Sequence, residues 1–425
     1  MTKIAIIGMG YVGMTTALGL AKIGHSVVGV EINPDRIGSL RAGKLPIFEP
    51  GLDSELVDSI RSGHLQLTAS IEEAAADSKV FFICVPTPQD DAGAANLKYV
   101  IAVSEQIANW ASPGSVIVVK STVPVGTGEM LRNSIDRTDI FFASNPEFLR
   151  EGSALLDFME PDRIIVGAEN SEVAETILSL YDNIDAPKVS TSVKSAELIK
   201  YAANAYLASR ISFVNDLAAL CEQVGANVDD VVTGMGSDSR IGNRFLQPGP
   251  GWGGSCFPKD TRALVSVAKS HGVSLGIVGA AIESNDNAFS RVVTRLKSLL
   301  GDELAGKNIA VWGLAFKANT DDTRDSPSLE IIKRLLSEGS KVTAFDPIAP
   351  APDWEGLTKA ESAVAAASGA DALLVVTEWS EFSKVSPKET ANVMKGSVVL
   401  DTRRILPVKE WSSEFESFKI LGSGS

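Results

Sequence analysis

Lys3-Ile4-Ala5-Ile6-Ile7-Gly8-Met9-Gly10-Tyr11-Val12-Gly13 decides the fold of this chain, together with a helical pattern to about Ile23 and then Ser26-Val27-Val28-Gly29-Val30-Glu31. Five apolar-rich residues predict a strand, Gly8–Gly13 spells G-x-G-x-x-G, and Ser26–Val30 predicts a second strand. The glycines allow a tight turn and let a pyrophosphate approach the N-terminus of the helix. Glu31, at the end of the second strand, can accept hydrogen bonds from ribose hydroxyls and would repel a 2′-phosphate, which favours NAD over NADP. Alone the glycine pattern is a weak signal, but between two strands with a terminal acid it is specific.

Outward from this unit, further strands are expected at Val80–Val85, Val116–Lys120 and Ile140–Ala143. Each runs into a polar or proline-containing loop: Val85–Pro88, Ser121–Pro124 and Asn145–Gly152. Ligands of open α/β sheets bind beyond the carboxyl ends of the strands, where such loops lie, although the same residues also make ordinary turns. From Ser195 to Val224 one helical pattern runs without proline or glycine. On it Lys200 and Asn204 are four apart and share a face. Lys200 sits among Leu198, Ile199, Tyr201 and Ala202, so it is either a snorkelling surface lysine or a partly buried one with a tunable proton.

A second α/β pattern begins near Lys307, with strands at Asn308–Trp312, Lys341–Phe345, Leu373–Val376 and Val398–Leu400, and a helix from about Ser326 to Glu338. It lacks the G-x-G-x-x-G turn, so it suits a nucleotide other than the dinucleotide. Lys317, Arg324 and Arg403 are its candidate phosphate or carboxylate contacts. The expected fold is α/β: two Rossmann-like doubly wound domains, residues 1–190 and 296–425, joined by a helical central region, residues 191–295, that holds the long helix. The last residues, Gly422-Ser423-Gly424-Ser425, predict a flexible tail.

The chemistry concentrates in Gly251-Trp252-Gly253-Gly254-Ser255-Cys256-Phe257-Pro258-Lys259-Asp260. Cysteine attacks as its thiolate, and nearby positive charge raises the thiolate fraction. The alternative is a small buried hydrophobe, the common fate of a free cysteine. Cys84, in an apolar strand, and Cys221, on the stripe Val214, Leu217, Cys221, Val224, fit that alternative. Cys256 has no periodic apolar neighbours, and the four glycines before it, Gly249, Gly251, Gly253 and Gly254, would open the backbone to a ligand.

At 425 residues and 44% hydrophobic, the chain can bury two or three cores. Three scattered cysteines offer no disulfide framework, and Met1-Thr2-Lys3 runs directly into a strand, so a cytoplasmic protein without a signal peptide is expected. No apolar run approaches the roughly 20 residues that span a bilayer. A net charge of −14 argues against nucleic acid or anionic membranes as partners. Anionic ligands must then be held by local cations and helix N-termini.

The ordered set Gly8–Gly13, Val85–Pro88, Ser121–Pro124, Asn145–Gly152, Lys200 with Asn204, Gly253–Asp260 and Phe316-Lys317 resembles the nucleotide-sugar 6-dehydrogenases (the UDP-glucose/GDP-mannose dehydrogenase family). The likeness runs from about Ile4 to Arg403. Asn145–Gly152 with the segment from Asp157 to Arg163 favours the UDP-glucose branch. The resemblance implies a double oxidation at C6 of UDP-glucose by two NAD, through a thiohemiacetal and a thioester on Cys256. It implies oxyanion contacts from Lys200 and Asn204, a proton-relay water organised by Asp260 and Thr122, and thioester hydrolysis by Glu147. Gly8, Gly10, Tyr11, Val12, Gly13, Glu31, Arg36, Thr87, Thr122, Glu151 and Arg324 would contact NAD. Glu147, Phe148, Leu149, Glu151, Lys200, Asn204, Phe245, Gly249, Gly253, Phe316, Lys317 and Arg403 would contact the sugar nucleotide. Arg240 would reach the partner's site in a homodimer or larger oligomer, and no metal is implied. Trp252 stands where the family commonly has phenylalanine, so GDP-mannose and UDP-N-acetylhexosamines are alternative substrates. A two-electron hydroxyacid dehydrogenase and a non-catalytic nucleotide-sugar binder are the other readings.

Overall fold

The computed structural model describes residues 3–88 and 95–424. The chain forms two compact units, Met1–Ala203 with Arg262–Gly272, and Asn204–Thr261 with Val273–Ser425.

In the first unit the strands are β1 (Lys3–Ile7), β2 (Ser26–Val30), β3 (Leu65–Thr68), β4 (Val80–Ile83), β5 (Val116–Val119), β6 (Phe141–Ser144), β7 (Ile164–Ala168) and β8 (Lys188–Thr191). They make one sheet in the order β3-β2-β1-β4-β5-β6-β7-β8, parallel except where β7 meets β6. Side chains alternate across a strand, so each strand feeds two cores. Ile4, Ile6, Val80, Phe82, Val116 and Val118 pack on one face with Met14 and Leu18 of the helix Tyr11–Lys22. Ala5, Ile7, Phe81, Ile83, Ile117 and Val119 pack on the other with Val100 and Ile107. Burial on both faces is why these strands read as continuous apolar runs rather than alternating ones.

The second unit holds β9 (Asn308–Trp312), β10 (Lys341–Phe345), β11 (Leu357–Lys359), β12 (Ala372–Val375), β13 (Val398–Asp401) and β14 (Ser417–Ile420). Their order, β11-β10-β9-β12-β13-β14, repeats that of the first six strands of the other sheet. Both sheets therefore reverse direction at an equivalent switch point, between β1 and β4 and between β9 and β12, where doubly wound folds bind ligands. A smaller core of Val214, Ala218, Cys221, Val228, Val232 and Leu246 forms around the later part of the long helix.

That helix, Val193–Val224, has 32 residues and starts two residues before the sequence expectation. Glu197 anchors it within the first unit: its buried carboxylate accepts the Gly126 and Gly128 N–H groups at 2.6 and 2.8 Å.

The flexible tail expected at Gly422–Ser425 is corrected for its described part. Gly422 N–H donates to Glu222 (2.6 Å), Val228 N–H donates to the Gly422 carbonyl (3.0 Å) and Gly424 N–H to the Ala226 carbonyl (3.0 Å). Ser423 forms a β-bridge with Asn227. Glycine composition suggested freedom, but these backbone groups have partners that no local pattern could show. Ser425 lies outside the described residues. Among the described residues no helix is long and apolar enough to cross a membrane.

Candidate active site

The glycine turn of the first unit has a separate physical reason for each glycine. Gly8 has φ +94°, and a Cβ there would come 2.9 Å from the Cys84 carbonyl oxygen. A Cβ on Gly13 would sit 1.8 Å from the Gly8 carbonyl oxygen. Gly10 caps the helix Tyr11–Lys22, and a Cβ on it would meet nothing within 4 Å. The turn is thus closed on the protein side and open at the helix N-terminus, which suits a pyrophosphate. Beyond β2 the buried Glu31 accepts from Asn33 N–H (2.9 Å) and pairs with Arg36 at 3.4 Å. These residues fit an NAD adenosine end. Thr87 and the β5 loop are stitched together, Thr87 Oγ1 donating to the Thr122 carbonyl at 2.9 Å and Ser121 Oγ to the Val85 carbonyl at 2.7 Å.

Glu49 carries no motif in the sequence, yet it ties this turn to the loop after β6. Its carboxylate accepts from Tyr11 Oη (3.0 Å), Gly152 N–H (2.7 Å) and Ala154 N–H (2.7 Å). Burial, then the Glu49 charge, raises the Tyr11 phenol far above its ordinary pKa, so Tyr11 stays a neutral donor. Only folding brings residues 11, 49 and 152 together, so no spacing rule could have found this clasp.

Glu147 and Lys200 meet in the same unit. Lys200 Nζ donates to Glu147 Oε1 at 2.8 Å, and Leu149 N–H donates to Oε2 at 2.7 Å. Both side chains are more than nine-tenths buried, so the lysine is the buried one of its two readings. Burial acts to raise the Glu147 carboxyl, but Lys200, Leu149 N–H and Lys120 outweigh it and hold the group below its ordinary value. The ring of Phe148 lies 3.7 Å from the Arg163 guanidinium carbon and 5.4 Å from Lys200 Nζ. A second buried lysine, Lys120, donates to Asn145 Oδ1 at 3.0 Å, and burial draws its ammonium down to about 8. No sequence pattern singles it out, because a lysine ending a strand is usually solvated. Glu151 is half-buried on the same loop.

In the second unit, Asn204, one turn along the long helix from Lys200, donates from Nδ2 to Asp260 Oδ2 at 2.7 Å. Lys259 Nζ donates to Asp260 Oδ1 at 2.7 Å, and Asp260 is fully buried. Lys259 therefore neutralises a carboxylate. Cys256 is half-buried with Sγ 3.6 Å from Ser255 Oγ. The helix Phe257–Ser270 starts at the next residue, and Asp260 N–H donates to the Cys256 carbonyl at 2.8 Å. A helix N-terminus favours a thiolate. Pro258, in the first turn, suits that start, since its missing N–H has no partner to lose there.

The glycines around Cys256 behave differently from the expectation of an open backbone, which is corrected. A Cβ at Gly251 would lie 2.4 Å from the Phe289 ring, at Gly253 1.9 Å from the Asp325 carbonyl oxygen, and at Gly254 2.8 Å from the Phe316 ring. They let the loop press against protein. Gly249 does differ: its nearest neighbour would be Arg403 Nη1 at 3.1 Å. Trp252 is buried, with Nε1 donating to Ser212 Oγ at 2.9 Å, so the volume it adds over phenylalanine is taken up against the long helix.

Arg403 is held by the Val376 carbonyl (2.6 Å), the Phe316 carbonyl (3.1 Å) and Glu378 (3.1 Å). Lys317 Nζ lies 5.4 Å from the Phe316 ring. Arg324 and Arg240 are exposed and pair with Asp322 and Asp238, both at 2.6 Å. Phe245 has φ +61°, and Asn319, Asp325 and Arg404 are also left-handed; such strain in non-glycine residues collects at ligand sites.

Asp346 carries no sequence signal of its own. It follows β10 as Glu31 follows β2, but its buried carboxylate is filled by protein. Oδ2 accepts from Leu314 N–H (2.7 Å), Ala315 N–H (3.0 Å) and Trp379 Nε1 (3.1 Å), and Oδ1 from Ile348 and Ala349 N–H (3.0 and 2.8 Å). Leu314 and Ala315 occupy the turn after β9, where a dinucleotide's pyrophosphate would need free N–H groups. An internal carboxylate takes them instead. Among the described residues no group of three or more His, Cys, Asp or Glu is arranged to hold a metal ion.

Three models of the UDP-glucose/GDP-mannose dehydrogenase family match the chain in succession: its NAD binding domain at residues 2–185, its central domain at 194–287 and its UDP binding domain at 310–408. A UDP-glucose 6-dehydrogenase of Rhizobium meliloti (strain 1021) is 43% identical over 417 residues, covering 95% of each chain. A UDP-glucose dehydrogenase structure from the hyperthermophilic archaeon Pyrobaculum islandicum superposes with a TM-score of 0.91 at 36% identity, covering 100% of this chain and 98% of that one. A UDP-D-ManNAc dehydrogenase structure from Pyrococcus horikoshii gives 0.89 at 27% identity, covering 100% of each.

Proposed function

The chain belongs to the UDP-glucose/GDP-mannose dehydrogenase family and is an NAD-dependent oxidoreductase acting on a nucleotide sugar; from that premise we propose that its substrate is UDP-glucose, oxidised at C6 to UDP-glucuronate. The observation that carries this reading is Cys256, set at the start of a helix, in a chain that matches a UDP-glucose 6-dehydrogenase over 95% of its length. Gly8, Gly10, Gly13, Tyr11, Val12, Glu31, Arg36, Thr87, Thr122, Glu151 and Arg324 are the proposed NAD contacts. When bound, NAD accepts one hydride per oxidation, two per product.

Loss of the C6 hydroxyl proton and of one C6 hydride gives the aldehyde; Cys256 then adds to it through sulfur, and the resulting oxyanion takes a proton. Loss of that proton and of the C–H hydride converts the thiohemiacetal to a thioester. Water then attacks the carbonyl carbon, the C–S bond breaks, and the thiol is restored as the carboxylate leaves. Lys200 offers an ammonium for oxyanions, and the Glu147 carboxylate beside it takes a proton from the hydrolytic water. Asn204 is proposed as a second oxyanion contact, and Asp260, which accepts from it at 2.7 Å, is proposed to orient the relay water with Thr122. Phe148, Leu149, Phe245, Gly249, Gly253, Phe316, Lys317 and Arg403 are the proposed sugar-nucleotide contacts, and Arg240 a contact from a partner subunit in a dimer. The division at residues 1–190, 191–295 and 296–425 is part of the same proposal, supported by the three successive matches.

The test is NAD reduction against UDP-glucose, GDP-mannose and UDP-N-acetylhexosamines, counting NADH per acid formed. Two NADH per UDP-glucuronate is expected. Cys256→Ala is expected to lose steady-state acid formation by orders of magnitude while still binding UDP-glucose. Normal acid production by Cys256→Ala would end the covalent mechanism, and a preference for another sugar would end the substrate assignment.

A further inference from the structure

Away from Cys256, a groove of about 810 Å³ in the second unit lies among the later part of the long helix, the helix Gly276–Leu299 and the segment at Lys419 to Ser423. A recess of about 20 Å³ shares its Ala219, Glu222, Arg291 and Arg295 walls and reaches Asn215 and Gly249. That volume suits one water-sized group, such as a single oxygen of a ligand. Among the described residues three donors that line the recess have no hydrogen-bond partner: Nδ2 of Asn215, only 4% exposed, Nη2 of Arg291, and Nη1 of Arg295, the last ion-paired with Glu222. Buried donors are seldom left so.

The charge of the groove is opposite to that of the chain. Against a net −14 for the whole protein, Arg291, Arg295 and Lys419 line it with Glu222 as its one carboxylate. Glu222 is already engaged, by Arg295 and by the Gly422 N–H at 2.6 Å. Arg291 Nη1 is held by Asp216 at 2.9 Å, which fixes the guanidinium. Ser290, Thr294 and Ser298 add hydroxyls. At 3.6 residues per turn Asn215 lies about 160° around the helix from Phe213, so the groove faces away from the exposed apolar stripe of Tyr206, Phe213 and Leu220.

We propose that this groove is a second anion site, which takes a phosphate-bearing small molecule on Arg291, Arg295 and Lys419, with one ligand oxygen accepting from Asn215 and Arg291 in the recess. Its occupant would touch the amide whose Oδ1 accepts from Gly249 N–H at 2.8 Å, one bond from the glycine loop.

The test is calorimetric titration of pyrophosphate into the whole protein with NAD and UDP already saturating, so that the nucleotide sites are filled. One added site per chain is expected. Arg291→Gln and Lys419→Gln should each weaken it roughly ten-fold, the effect of one hydrogen bond to a charged group. Both variants should keep wild-type turnover, and Lys419→Gln, on the edge strand, guards against misfolding of the other. Inorganic phosphate titrated in the same way separates a single phosphate from a diphosphate, and saturable binding of either supports the site. No added site in the wild type, equal affinity in both variants, or groove variants that only weaken self-association would overturn it.

Discussion

At the residue scale, two buried lysines are held in different ways. Lys200 is matched by the Glu147 carboxylate at 2.8 Å, whereas Lys120 has the neutral Asn145. Burial therefore dominates Lys120 and draws it to about 8 from an ordinary 10.5. Between those two pH values the unfolded chain binds the proton that the folded chain has lost. Stability should consequently rise with pH across that window, and the penalty is fully present below pH 8. Lys120→Met should flatten the rise, which is at most about 3 kcal/mol at 1.36 kcal/mol per unit. Denaturant midpoints from pH 7.5 to 10.5 measure it, and an unchanged slope in the variant would show that Lys120 keeps its charge. Glu147 has the opposite sense: its depressed pKa contributes stability above the unfolded value, lost as pH falls through the folded one.

At the element scale, the long helix has one surface still bare. Tyr206, Phe213 and Leu220, 63%, 52% and 56% exposed, repeat every seven residues. A seven-residue repeat stays nearly in line on a helix, drifting about 20° per heptad. Such a stripe fits a self-complementary interface, and it supports the proposed dimer. Phe213→Asp is expected to give a folded monomer in sedimentation velocity; a variant that sediments as the wild type would place the interface elsewhere. The helix was legible from its unbroken pattern, but its anchor was not. Glu197 reads as an ordinary helical surface acid until folding sets Gly126 and Gly128 against it.

At the scale of the whole molecule, one strand order is used twice for different ends. Gly10 leaves the turn after β1 open, while Asp346 closes the turn after β9 with its own carboxylate. Equilibrium binding should therefore give one NAD per chain, and a second equivalent site would refute this reading of Asp346.

The sequence by itself determined what local covalent pattern dictates. It placed β1, the glycine turn and β2, the strands β9 and β10, and the long helix to within two residues. It also singled out Cys256, because four glycines and a Lys-Asp pair around a cysteine form a chemical pattern within the twelve residues Gly249–Asp260. Short strands such as β8 (Lys188–Thr191) and β11 (Leu357–Lys359) were not legible, since three or four mostly exposed residues carry no periodicity. Tertiary structure alone decided which polar groups lose water together. Glu49 with Tyr11, Lys120 with Asn145, Asp346 with the β9 turn and Asn215 at the anion groove are each pairs or clusters distant in the chain. Their energetics depend on burial and on partners within about 3 Å, and neither quantity exists until the chain has folded.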